Sequence, residues 1–327
     1  MKQKIAIIGT GLVGGSLGLA FKQAKLDAEI VGHDKNGSDA ALARKRGALD
    51  KSEWNLHSAV DGAALVILAM PVMAIKSTLE AIAPTLRQGA IVTDTASTKQ
   101  QVISWAEEIL PRGVDFIGGH PLTVHAGSGI EAASATLFTN RPYCLMPART
   151  ASSQALETMV NLAQTIGARP FFLDPVEHDS FVAAVSHVPF LAAAALVHAA
   201  AASPSWKEIR RVAGIDFENA SLPMMGDPNT YNDICLTNKV AILRWLTGYM
   251  GSLSELKLLV EQGGPELLAA FAAAQQERAK WLATRDDDLA DLPPPSSVGG
   301  TGSQIKQMFL GGLMGERRLP EKEDKKK

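Results

Sequence analysis

The segment IAIIGTGLVGGSLG, residues 5 to 18, constrains this chain more than any other. An apolar run of strand length leads directly into Gly9, Gly11 and Gly14, spaced G-x-G-x-x-G, and then into residues that suit a helix. In a strand-turn-helix unit of this kind the first glycine makes the turn. The second lets backbone approach a pyrophosphate, and the third lets helix and strand pack closely. Leu12 and Val13 fall at the helix N-terminus, where the phosphates are expected. The next apolar run, AEIVGHD, ends on Asp34, 20 residues beyond Gly14. A carboxylate there accepts hydrogen bonds from a ribose diol and repels a 2'-phosphate. The spacing therefore points to NAD, while the adjacent His33 and Lys35 leave NADP possible.

The rhythm continues through the first half of the chain. KIAIIG, AEIVGHD, ALVILAM, AIVTDT, VDFIGG and YCLMP alternate with helical patterns between most of them, as in a parallel sheet covered on both faces. After ARPFFLD the strand signals stop, and long Ala and Leu periodicities take over. The expected class is α/β: a Rossmann-type doubly wound parallel sheet in residues 1–174 and an all-helical domain in 175–287. Residues 288–327 have the composition of a linker and a charged tail. The run VAAVSHVPFLAAAALVHAAAA is long enough to span a bilayer, yet it carries two histidines and a proline and lacks basic flanks. A core helix buried on all sides is the better account, and a domain built round it would expose apolar surface unless it formed a homodimer.

With 46% hydrophobic residues, 20% charged and a formal net charge of -2, the chain has no field that would gather nucleic acid or an anionic membrane. A small-molecule substrate is the expected partner. Cys144 and Cys235 are far apart and form neither a redox pair nor part of a zinc site, and no metal constellation is visible. The basic, apolar start imitates a secretory signal, but glycines at 9, 11, 14, 15 and 18 suit a packed turn and helix better, so a cytoplasmic protein is expected.

In a doubly wound sheet the ligand lies beyond the carboxyl ends of the strands. Those ends carry AMPV with Met70 and Pro71, DTASTK with Ser97, and GGHPL with His120. Singly, Ser97 reads as a helix cap and His120 as a turn residue. At successive strand ends of one fold they share a cleft.

These segments resemble the prephenate dehydrogenase family, which includes the arogenate and cyclohexadienyl dehydrogenases of tyrosine biosynthesis. The likeness rests on GTGLVGGSLGLAFK, DTASTK, GGHPL with SGIEAA, NRPYCLMP, EHDSFVAAVSHVPF and GDPNTYNDICLTNK, in the family's order, over residues 3 to 285. It implies an oxidative decarboxylation: hydride leaves the hydroxyl-bearing ring carbon for the nicotinamide, the ring carboxylate departs as CO2, and the ring becomes aromatic. The hydroxyl proton needs a base, which suits a neutral histidine. By resemblance that base is His120, with Ser97 bonding the same hydroxyl or the histidine, and His187 lining the pocket from the helical domain. The resemblance also implies an intertwined helical dimer.

By the same likeness the substrate pocket includes His125, Ser128, Arg141, Phe190 and Leu222. Three positions depart from the family pattern. An acidic position reads Ala126, the second histidine of a pair reads Phe190, and an arginine expected before GDP reads Leu222. Burying an unpaired carboxylate costs several kcal/mol. Either other cations serve, with His125, Lys99, Arg141 and Arg211 as candidates, or the substrate is less charged. Two further readings stay open. One is a hydroxyisobutyrate-type dehydrogenase, whose lysine-bearing helical motif is not evident. The other is a protein that binds NAD without turnover, against which stand the retained His120, Ser97 and His187.

Overall fold

The computed structural model describes residues 2–123 and 127–292. The first part of the chain forms β1 (Gln3–Ile8), α1 (Leu12–Gln23), β2 (Ala28–His33), α2 (Gly37–Lys45), β3 (Lys51–Ser52), α3 (Leu56–Val60), β4 (Leu65–Leu68), α4 (Met73–Ile82), β5 (Ile91–Asp94), α5 (Gln100–Ile109), β6 (Asp115–Pro121), β7 (Pro142–Pro147), α6 (Ser153–Thr165) and β8 (Arg169–Phe172). The eight strands make one sheet in the order β3-β2-β1-β4-β5-β6-β7-β8. From β1 the chain runs out to β3 and then returns to the other side as β4, so the order reverses between β1 and β4, where such sheets bind their ligand.

Alternation along β1 explains the two-faced core. Ile5 and Ile7 join a cluster with Leu17, Phe21 and Ile117, whereas Ala6 and Ile8 join one with Leu79, Val102 and Phe116. Each such aliphatic side chain stabilises by roughly 1.5–3 kcal/mol when fully buried. Gly9 has φ +94°, and a Cβ on it would lie 2.1 Å from the Ala69 carbonyl oxygen. A Cβ on Gly14 would lie 1.9 Å from the Gly9 carbonyl oxygen. Both positions admit only glycine.

Two details depart from the sequence expectation. β3 is a two-residue edge strand, too short to show a pattern. β7 runs antiparallel to β6, with His120 paired to Cys144, and β8 runs parallel to β7. Among the described residues the β6–β7 connection holds only a short turn at Ile130–Ala132, and a parallel return needs a longer crossover.

The helical part comprises α7 (Pro175–Val182), α8 (Val188–Ala201), α9 (Trp206–Val212), α10 (Ile215–Ser221), α11 (Pro228–Thr237), α12 (Lys239–Gln262) and α13 (Pro265–Ala290). Asp174 caps α7, its side chain accepting from Val176 N at 2.8 Å, with Pro175 at the first helical position. Between α7 and α8, Ala183–His187 forms a π turn. Pro189 lacks an N–H and its ring would strike the carbonyl four residues back in a regular α-helix, so the widened turn relieves both. The run Pro175–Ala201 is one continuous helical stretch, long and apolar enough to cross a membrane.

Only 33% of its most apolar window is buried, so the expectation of a helix enclosed on all sides is corrected: Val185 and Leu196 are exposed. The buried face carries His178, Asp179 and His187, and α7 packs on α5. That face is used for polar contacts with the sheet domain, which leaves the apolar one outward. Phe190, Ile234 and Ile242 form a small third core. No described residue of α13 is buried, and Leu268, Phe271 and Trp281 are exposed.

Candidate active site

The cleft at the sheet's switch point is about 250 Å³ and is lined by Leu12, Val13, Met70, Pro71, Ser97 and, from the helical domain, Ile234. Five of the expected cofactor residues thus meet there. The glycine loop fits a dinucleotide: a Cβ built on Gly11 would meet nothing within 4 Å, so that backbone faces open space, as a pyrophosphate requires. Asp34 accepts from the backbone N–H of Thr10 at 2.7 Å through Oδ2 and from that of Asn36 at 3.0 Å through Oδ1. It shapes the glycine loop from the end of β2 and keeps lone pairs for a ribose diol.

The ends of β5 and β6 are tied by a buried ion pair. Asp94 and Lys99, both fully buried, bond through Oδ2 and Nζ. Lys99 Nζ also donates to the Gly119 carbonyl at 2.7 Å, and Gly119 N–H donates to Asp94 Oδ1 at 3.2 Å. Burial pushes the Asp94 carboxyl up and the Lys99 ammonium down, while their mutual attraction opposes both shifts. This pair fixes the backbone immediately before His120. It also corrects one expectation, because Lys99 is committed to Asp94 and does not serve a substrate carboxylate.

His120 is 8% exposed. Its Nδ1 lies 2.9 Å from Nε2 of His178, with the rings edge to face. Nδ1 of His178 lies 2.9 Å from Asp179 Oδ1. Asp179 in turn accepts the first N–H groups of α5, from Lys99 at 2.8 Å and Gln100 at 3.0 Å, a favourable place for a carboxylate at a helix N-terminus. Burial holds the His120 imidazole well below its ordinary pKa, with His178, Lys99 and His187 adding to the effect, so the ring is neutral at physiological pH.

His187 follows the π turn. Its Nδ1 faces the Asn238 amide nitrogen at 3.3 Å, and that amide also donates to the Asp179 carbonyl at 2.7 Å. Asn238 presents N–H groups to both, so the neutral His187 carries its proton on Nε2. That buried atom has no partner among the described residues. Burial lowers the His187 pKa to about 4.

The remaining expected residues are scattered. Ser97 lines the cleft, but among the described residues its hydroxyl bonds no side chain, and the Nδ1 of His120 is taken by His178. Phe190 is buried and stacks on Tyr231 with ring centres 4.6 Å apart. Leu222 is 44% exposed at a short turn, so it is not a wall of the buried pocket. Ser128 is exposed, and Arg211 is exposed on α9. Arg141 borders a separate cavity of about 370 Å³ with Arg169 and Arg285, away from the cleft. His125 and Ala126 lie outside the described residues. Sequence reasoning missed Asp94, His178, Asp179 and Asn238. Of these, His178 and Asp179 had a legible signal, falling in the opening turns of a helix announced by Asp174-Pro175.

Comparison with known proteins agrees with this arrangement. The profile described as "Prephenate dehydrogenase, nucleotide-binding domain" matches residues 17–171, and "Prephenate dehydrogenase, dimerization domain" matches 174–273. The prephenate dehydrogenase of Bacillus subtilis is 34% identical over 281 residues, covering 85% of this chain and 76% of the relative. The crystal structure of Synechocystis arogenate dehydrogenase superposes with a TM-score of 0.72 at 30% identity, covering 85% of this chain and all of that one. A. aeolicus prephenate dehydrogenase, solved with hydroxyphenyl propionate and NAD+, gives a TM-score of 0.80 at 25% identity, covering 86% of this chain and 98% of that one.

Proposed function

This chain belongs to the prephenate dehydrogenase family, and from that premise we propose that it oxidises and decarboxylates prephenate or arogenate, with His120 as the proton acceptor. It is an oxidoreductase of the NAD-binding Rossmann type. Gly9, Gly11, Gly14, Leu12 and Val13 hold the pyrophosphate side of NAD, Asp34 its ribose, and Met70, Pro71 and Ser97 the cleft beyond. Bound there, NAD takes up the hydride released from the hydroxyl-bearing ring carbon.

The chain's own residues handle the proton. The neutral His120 ring takes the hydroxyl proton as the carbon–oxygen bond becomes a carbonyl. The electron pair of the breaking bond to the ring carboxylate then enters the ring, CO2 leaves, and the aromatic product regains a hydroxyl proton. His187, with its buried Nε2–H, supplies a hydrogen bond to a substrate oxygen. The observation that carries this reading is the 2.9 Å contact of His120 Nδ1 with His178, which leaves the other ring nitrogen for substrate.

One observation favours a less charged substrate among the family's choices: Phe190 and Tyr231 form an apolar wall, and Lys99 is locked to Asp94. The deciding experiment mixes the purified protein with NAD and either prephenate or arogenate and follows nicotinamide absorbance. Reduction with one of them, abolished by His120→Asn, is expected. NAD binding without turnover of either sinks the assignment. The exposed apolar residues of α12 and α13 support a homodimer through the helical domain, in keeping with the description of the matched profile.

A further inference from the structure

Asp179, His178 and His120 form a line of hydrogen bonds whose direction can be worked out from one end. Every partner of the Asp179 side chain is a nitrogen: the backbone N–H of Lys99 at 2.8 Å, that of Gln100 at 3.0 Å, and Nδ1 of His178 at 2.9 Å. A carboxylate only accepts, so His178 Nδ1 donates. A neutral His178 then presents a lone pair at Nε2. The atom 2.9 Å from that lone pair is His120 Nδ1, which must be the donor. His120 therefore carries its proton on Nδ1, and its lone pair is on Nε2.

We propose that His178 and Asp179 are positioning residues that hold His120 in the Nδ1–H tautomer, with Nε2 free to accept the substrate proton. The proposal rests on the reading of His120 as the base. Both residues belong to α7 of the helical domain, whereas His120 ends β6 of the sheet domain, so the base is set only while α7 is docked on the N-terminus of α5. Three further contacts secure that docking. Asp179 caps α5, Asn238 donates to the Asp179 carbonyl, and the hydroxyls of Thr98 and Thr237 meet at 2.9 Å.

The groups that bear on the charge of His120 come from every side. Lys99, paired with Asp94, lies at the end of β5; Cys144 is its partner on β7; His178 with Asp179 and His187 face it from the helical domain. Once protonated, His120 keeps its Nδ1–H on His178, whose own N–H remains on Asp179. The carboxylate thus stabilises the cation at one remove and in a fixed direction.

The test compares Asp179→Asn, His178→Gln and His178→Phe in the full-length protein, with NAD and whichever of prephenate or arogenate it turns over. Two readouts are needed: kcat/KM against pH, and the 15N spectrum of His120 in protein labelled with 15N-histidine. In Asp179→Asn the single amide oxygen stays with the α5 N–H groups and the amide nitrogen turns to His178. Proton positions then reverse along the line and block Nε2 of His120. Turnover near neutral pH is expected to fall by about a thousandfold or more, with the His120 proton now on Nε2. His178→Gln, whose carbonyl can still accept from His120, should keep turnover within about tenfold of the parent and retain its pH profile. His178→Phe should lose much more.

An Asp179→Asn protein with the parent pH profile and the His120 proton still on Nδ1 overturns the proposal. If that variant fails to fold, equal losses in His178→Gln and His178→Phe overturn it, and rescue by Gln alone upholds it. Full turnover in His120→Asn is a different failure, since it removes the reading on which the proposal rests.

Discussion

The carboxylate of Asp34 accepts the backbone N–H of Thr10 at 2.7 Å, joining the end of β2 to the glycine loop after β1. One side chain therefore has two duties, shaping the loop and meeting the ribose. Asp34→Ala is expected to relax the preference for NAD over NADP and also to raise KM for both cofactors, by about tenfold for each 1.4 kcal/mol of hydrogen bonding lost. Steady-state kinetics with both cofactors checks this. An unchanged NAD-to-NADP ratio would remove the ribose assignment.

The glycines should separate folding from binding. Gly11→Ala places a methyl where nothing lies within 4 Å, so the melting temperature should hold while NAD affinity falls at least about tenfold. Gly14→Ala drives a Cβ to 1.9 Å from the Gly9 carbonyl oxygen, so it should lower both. Thermal unfolding and calorimetric titration of the two variants read the difference.

Breaking the buried Asp94–Lys99 pair leaves an uncompensated charge. Lys99→Met alone should cost about 3–5 kcal/mol of stability. The double change Asp94→Asn with Lys99→Met should recover a good part of that, since neither charge then remains. Denaturant unfolding of the two proteins decides the point, and equal losses would contradict it.

Acid should weaken the fold through His187. Its pKa falls from 6.5 to about 4 on burial, so below about pH 6.5 the unfolded chain binds a proton that the folded one refuses. Stability is full above that pH and declines as the pH drops towards 4. His187→Gln should flatten this decline by about 2 kcal/mol between pH 7 and 5, at roughly 1.4 kcal/mol per unit. Urea unfolding at the two pH values is the measurement.

The exposed apolar residues of α13 make a further case. Phe271→Lys with Leu268→Glu should shift the protein from dimer towards monomer in sedimentation velocity, with the sheet domain still folded by circular dichroism. A persistent dimer would move the interface elsewhere.

Much of the architecture could be read from short-range pattern. Gly9, Gly11, Gly14 and Asp34 sit where spacing places them because one strand-turn-helix unit dictates their geometry. His120 was legible as the residue closing a strand on the ligand side. His178 was not, because the 2.9 Å contact joins side chains 58 positions apart and depends on how α7 seats on α5. Lys99 read as a free cation for the same reason, since its partner Asp94 is near in sequence but the burial of both is a tertiary fact. The reversed β7 escaped notice because period-two patterning carries no strand direction.

The π turn at Ala183–His187 makes the helix sensitive to chain length in a way that substitution does not reveal. Removing one residue there would restore uniform α winding and re-phase everything downstream by about 100° about the axis. His187 and Phe190 would swing off the face they share with Asn238 and Tyr231. A one-codon deletion, conservative by composition, would thus disassemble the helical side of the pocket.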